Sequence, residues 1–202
     1  MLLHSIDMEC EFGEVIKMNE LREYVARQIG HLEKIINTSG GRARLANLRR
    51  GVGKVPGELP ELWGEFLNGI PKCLLSRNGE VTRGEWAIYL SLTMYALHQQ
   101  GNSDSVNKAG ESLGKAASQL MKDNSDEERE RVLRRFGPII TAKDMLEFAH
   151  HLRCLIQLLS TNKIKLDYVK LAEDIYRFQS DDLRKKVQLK WGQDFYKEKG
   201  EE

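Results

Sequence analysis

Residues 82–100, TRGEWAIYLSLTMYALHQQ, decide the fold class. Thr82 and Glu85 stand at the spacing of a capping box, in which hydroxyl and carboxylate each accept a backbone N–H of a helix's first turn. The residues that follow are apolar nearly all round a helical wheel. That pattern predicts a buried helix rather than one lying on the surface. Gly101 ends it, because glycine adopts the left-handed conformation that closes helices.

Helical periodicity extends in both directions from this segment. From Asn19, apolar residues at Leu21, Tyr24, Val25, Ile29, Leu32, Ile35 and Ile36 draw one stripe. "NTSGG" stops that helix, and "RARLANLRRG" predicts another, with Leu45 and Leu48 on one side. "PELWGEFLN" reads as a short helix begun at Pro60, with Leu62, Trp63, Phe66 and Leu67 inward.

Downstream, "AGESLGKAASQLM" predicts a helix, and Ser125 and Glu128 repeat the capping-box spacing. The helix they open is expected to break at Gly137-Pro138. Thr141 is then expected to cap a long helix over "AKDMLEFAHHLRCLIQLLS", with Asp144 in its first turn. "KLDYVKLAEDIYRF" and "SDDLRKKVQLKWGQDFY" complete the series. No strand-like alternation appears. The expectation is an all-α, two-lobed bundle of about eight or nine helices built by helix-on-helix packing. A soft boundary near Asp123 separates a lobe over 1–123 from one over 124–202.

Composition removes several classes. With 202 residues, 41% hydrophobic, 30% charged and four prolines, the chain is globular rather than disordered. The N-terminal "MLLHSIDMECEFGEV" carries no basic region and no long apolar run, so no signal peptide is expected. No stretch approaches the ~18 apolar residues of a membrane span. Cys10, Cys73 and Cys154 are scattered and odd in number, which points to a reducing compartment, the cytoplasm.

Charge is balanced overall, with 31 basic against 30 acidic residues, but not locally. The stretch 39–60, SGGRARLANLRRGVGKVPGELP, holds Arg42, Arg44, Arg49, Arg50 and Lys54, and no acid stands between Glu33 and Glu58. A charge run is commonly a solvated face. Here the accompanying acids are missing, and arginine's planar donor fork suits phosphate oxygens. Arg134, Arg135, Lys143, Arg153, Arg184, Lys185 and Lys186 follow on later helices. Converging with the first group, they would form a track for a sugar–phosphate backbone, with little sequence preference. No paired aromatics offer a stacking platform for bases.

Other motifs carry less. "GESLGK" is one residue short of a phosphate-binding loop, has Ala116 where Ser or Thr is required, and follows no strand. Ser112 and Lys115 mimic a serine–lysine pair, but the SDN and KTG elements are absent. His150 and Cys154 stand one helical turn apart with His151 between them, which is half a zinc site without a second half. The expectation is a core Cys154 with histidines at an edge, and no metal or other cofactor. No nucleophile–base pair is defensible, so no enzyme is expected.

The order of "ARLANLRRG", "VPGELPELW", "GEWAIYLSLTMYALHQQG", "SLGKAASQLM", "RVLRRFGPIITAKDMLEFAHHLRCLIQLLS" and "KLDYVKLAEDIYRFQSDDLRKKVQLKWGQDFY" resembles the CasB family. That family is the small subunit of the type I-E CRISPR surveillance complex, Cascade. The likeness covers nearly the whole chain beyond about Asn19. The most specific pieces are "LRRG", "SLGKA", "HLRCLIQLL" with "LDY", and "WGQDFY". The resemblance implies a non-catalytic protein that pairs as a dimer inside the complex. There it lies against the backbone and large subunits, near guide RNA and target DNA, and stabilises the R-loop. Carried over by motif, the basic residues are Arg49, Arg50, Lys115, Arg134, Arg135, Arg153 and Arg184. Arg42, Arg44, Lys54, Lys143 and Lys185 are added on charge alone. Two other readings compete: a helix-turn-helix regulator using "GRARLANLRRG", and a metal-dependent phosphohydrolase using His150 and His151.

Overall fold

A computed structural model describes residues 2–197, with side chains from residue 13 onward. Among them run nine α-helices and one 3₁₀ turn. In order they are α1 (Leu2–Ile35), α2 (Ser39–Arg50), the 3₁₀ turn (Pro60–Leu62), α3 (Trp63–Phe66), α4 (Arg83–His98), α5 (Leu113–Ser118), α6 (Asp126–Ile140), α7 (Met145–Thr161), α8 (Tyr168–Phe178) and α9 (Asp181–Tyr196). The only extended pairing among the described residues is an isolated parallel bridge between Asn107 and Leu166. No described helix is long and apolar enough to cross a membrane.

The helix read from 82–100 is the centre of the molecule. α4 packs against α1, α2, α7 and α8, and its residues from Ala87 to Ala96 are buried on every side. Its capping box forms as expected. The Thr82 hydroxyl accepts the Glu85 N–H at 3.0 Å, and the Glu85 carboxylate accepts the Thr82 N–H at 2.8 Å. Buried hydroxyls then tie neighbouring segments to the core. Tyr89 donates to the Gly51 carbonyl at 2.9 Å, and Tyr24 to the Phe66 carbonyl at 2.8 Å. Buried apolar residues on both sides of Asp123 belong to one cluster.

Several boundaries differ from the sequence reading. α1 begins at Leu2 rather than near Asn19, because polar residues in its first half do not break a helix whose backbone bonds are internal. α6 continues through Pro138 to Ile140. A proline in the last turn costs one backbone bond, and the burial of Phe136 and Ile139 on either side holds the turn in place. Thr141 therefore closes α6, and Asp144 caps α7 by accepting from Leu146 and Glu147 N–H at 2.9 and 2.8 Å. Only half of the second capping box forms: Ser125 accepts the Glu128 N–H, while the Glu128 carboxylate turns to Lys122 N and Arg131. α5 starts at Leu113, so "AGE" belongs to the preceding loop. Trp63, expected inside, is 49% exposed. Its indole N–H donates to the Gly57 carbonyl at 3.1 Å.

Gly114, the glycine of the loop-like "GESLGK", has a packing role. A Cβ there would overlap the Trp191 carbonyl, so α5 and α9 meet backbone to backbone at this point. Ser112 of the same motif caps α5 and donates to Asp194 on α9 at 2.6 Å. Gly114→Ala is expected to destabilise the protein by about 1–3 kcal/mol through overpacking, although alanine is the better helix former. Urea unfolding measures it.

His98 closes the C-terminal end of α4, fully buried, with its Nδ1 2.9 Å from the Tyr168 hydroxyl, which donates to the Met94 carbonyl at 3.2 Å. Burial pulls its pKa down from 6.5 to about 4. The folded state thus holds this ring neutral where the unfolded chain binds a proton. The resulting stability is complete above about pH 6.5 and is lost as pH falls towards 4, at about 1.4 kcal/mol per pH unit. His98→Gln is expected to flatten that slope between pH 7 and 5, whatever it does to stability at neutral pH. Unfolding curves across that range check it.

Candidate nucleic-acid interface

The basic stretch that stands out in the sequence is largely compensated in space. Arg44 pairs with Glu65 and donates to Gln28 Oε1 at 3.1 Å. Arg50 meets Glu61 at 2.7 Å, and Lys54 meets Glu58 at 2.6 Å. The hydrogen bonds from Lys54 and from Val55 N–H lower the Glu58 pKa. Arg49 is half-buried and donates to the Ala96 carbonyl at 3.4 Å, and Arg42 donates to the Asn37 carbonyl at 2.9 Å. The expectation of uncompensated charge here is therefore corrected. The loop after α2 folds back, and the 3₁₀ turn and α3 bring Glu61 and Glu65 alongside arginines that precede them in sequence.

The later cations divide into two kinds. Lys115 lies 3.7 Å from Glu111, and Arg134 lies 3.7 Å from Glu130 on its own helix. Arg184 turns inward: its Nε donates to the Phe178 carbonyl at 2.9 Å and its guanidinium covers the Phe178 ring. Arg135, Lys143, Arg153 and Lys185 are exposed, and none has a carboxylate partner among the described residues.

These last four are carried by α6, α7, α9 and the corner between α6 and α7. Lys143 lies in the corner itself, and Arg135 sits on α6 just before it. Gln188 of α9 donates to the Ile140 carbonyl at 2.7 Å, which fixes the α9 turn carrying Lys185 against the same corner. Arg153 lies further along α7. Leu146, His150, Arg153 and Gln157 recur at one-face spacing and are all exposed, opposite the buried Phe148, Leu152, Leu155 and Leu159. No carboxylate lies on that stripe. Asp144 is spent on the cap, and Glu147 stands to the side, accepting the Lys143 backbone N–H at 2.7 Å.

The arrangement suits a polyanion. Exposed cations without carboxylate partners can neutralise phosphates without reading bases. Sequence reasoning singled out Arg135, Lys143, Arg153 and Lys185 but did not note the exposed α7 face on which Arg153 lies. The signal was the recurrence of non-buried Leu146, His150 and Gln157 at helical spacing. His150 and His151 lie ring to ring with centroids 5.2 Å apart, and His151 is 3.9 Å from Glu147. Cys154, expected in the core, is half-buried. Among the described residues no three metal-binding side chains gather. A recognition helix must present free side chains to base edges, and α2 instead engages Arg44, Arg49 and Arg50 within the fold.

The family model for CRISPR-associated protein Cse2 matches residues 44–196. The fold is similar to the crystal structure of CasB from Thermobifida fusca, with TM-score 0.73 and 28% identity over 88% of this chain and 98% of that one. CasB from Thermus thermophilus is similar with TM-score 0.63 and 22% identity, over 85% of this chain and 97% of that one. No curated protein matches the sequence.

Proposed function

Because the chain belongs to the CRISPR-associated Cse2 family, we propose that it is the small, non-catalytic subunit of a type I-E Cascade complex and stabilises the R-loop through its basic surface. The observation that carries the nucleic-acid reading is a set of exposed cations with no carboxylate partner among the described residues, Arg135 on α6, Lys143 in the α6–α7 corner, Arg153 on α7 and Lys185 on α9. The ion-paired Arg44, Arg50, Lys54, Lys115 and Arg134 contribute more weakly, since a phosphate must displace a carboxylate to reach them. Arg42 and Arg49 add charge on α2, and Arg184 steadies the first turn of α9 next to Lys185.

The work required is small. Forming an R-loop exchanges one duplex for another of similar stability, so a few kcal/mol from phosphate contacts tip the balance. Phosphate contacts by an isolated small subunit are weak and salt-sensitive. Held as a dimer against the backbone and large subunits, next to guide RNA and DNA, the same contacts gain from effective concentration. The test is R-loop lifetime in a reconstituted complex carrying charge-reversed protein.

A further inference from the structure

A trough runs between α1 and α9 with α8 as its floor, enclosing about 520 Å³. Each helix contributes a single face to it: Val15, Met18 and Arg22 from α1, Asp174 and Arg177 from α8, and Leu183, Lys186 and Val187 from α9. The α1 wall lies outside residues 44–196, the span of the family match.

We propose that this trough docks a helical segment of a partner protein that presents an apolar stripe flanked by acidic residues. The shape argues for a helix. Two helices packed on a third leave the groove in which bundles seat a further helix, about 10 Å wide. Chemistry supplies the rest. Val15 is 53% exposed, and Met18 and Leu183 are half-buried, so the wall carries apolar surface that no described segment covers. Sugar–phosphate has nothing to bury against such a wall, whereas leucine or isoleucine side chains do.

The charges define the partner's sign. The trough's own carboxylates are already paired. Glu14 accepts from Arg83 at 2.9 Å and from Tyr176 at 3.2 Å, and Asp174 accepts from Trp191 and Lys170. Arg22 is held by Glu173 and Lys190 by Asp194. Arg177 and Lys186 have no ion-pair partner among the described residues. Among the described lining residues the unpaired charge is cationic, which an acidic flank complements.

The test uses the full chain and a fluorescent synthetic helical peptide of about five turns, with leucines at i, i+4, i+7 and i+11 flanked by glutamates. Its sequence-scrambled isomer and a single-stranded oligodeoxythymidine serve as comparison probes. The helical peptide is expected to bind, the scrambled isomer about tenfold or more weaker. Val15→Asp and the pair Arg177→Glu, Lys186→Glu are each expected to weaken the peptide about tenfold or more. Binding of the oligonucleotide at the α6–α7–α9 corner should be unchanged by Val15→Asp, so this inference and the nucleic-acid reading fail separately. No peptide binding, equal binding of the scrambled isomer, indifference to the substitutions, or displacement of the peptide by the oligonucleotide overturns the inference.

Discussion

Trp191→Ala is expected to cost about 3–5 kcal/mol, the range for removing a fully buried large aromatic. The indole sits where four helices meet. Its ring lies 5.9 Å from Phe178 of α8, 6.2 Å from Phe136 of α6 and 6.4 Å from Phe148 of α7, centroid to centroid. Its backbone carbonyl receives Gly114 of α5. Its N–H donates to Asp174 Oδ2 at 2.8 Å. That carboxylate is buried, and burial raises its pKa even though Lys170 and Trp191 oppose the shift. Removing the indole therefore opens a cavity and also strands a polar group already poorly solvated. Trp191→Phe separates the two effects, because it keeps most of the ring but not the N–H. It is expected to cost about 1–3 kcal/mol. The raised pKa fixes the pH dependence of the loss. Protonation favours the folded form of Asp174, so the penalty for its charge is present at neutral pH and disappears as pH falls through the carboxylate range. The cost of Trp191→Phe should shrink correspondingly in acid. Denaturant unfolding of both variants measures all three quantities, and a loss below about 1 kcal/mol for Trp191→Ala would contradict the packing described here.

The second large effect is functional. Reversing Arg135, Lys143, Arg153 and Lys185 to glutamate is expected to shorten R-loop lifetime in the reconstituted complex by about tenfold or more, because each contact neutralises one phosphate. All four side chains are exposed and make no ion pair among the described residues, so stability should stay close to that of the parent protein. With about four phosphates engaged, the log–log salt slope attributable to this surface is about −3 to −4, and the variant should lose it. Arg50→Glu is the informative contrast. Arg50 already spends its charge on Glu61, so its reversal disturbs a local pair more than a free site, and a smaller effect is expected. Full R-loop stability with the fourfold variant would remove the nucleic-acid role from this surface.

The two groups of basic residues show why a charge pattern alone does not tell which cations are paired. The arginines of α2 look uncompensated because their acids come later in the chain. Arg44 and Glu65 are 21 residues apart and meet only because the intervening loop reverses direction. Lys143 is followed closely in sequence by Asp144 and Glu147, which on charge alone would offset it. In the folded chain those acids serve a helix cap and the Lys143 backbone amide. Gly114 teaches the same lesson about motifs: next to Lys115 it imitates a phosphate loop, yet its absent side chain makes room for α9. Trp63 misled because helical spacing placed it inward, whereas a 3₁₀ turn rotates the chain before α3 begins.

The sequence by itself determined the all-helical class, the buried central helix with its Thr82–Glu85 cap, the apolar faces of α1 and α7, and the resemblance to the Cse2 family. These are local matters: a helix registers in its own periodicity, and a cap in residues three apart. Only the tertiary structure decided which cations remain free, how α9 reaches the α6–α7 corner through Gln188, and that α1, α8 and α9 leave a trough with apolar walls. Those features depend on which carboxylate, carbonyl or backbone a side chain meets after the helices have packed, and no periodicity along the chain encodes that meeting.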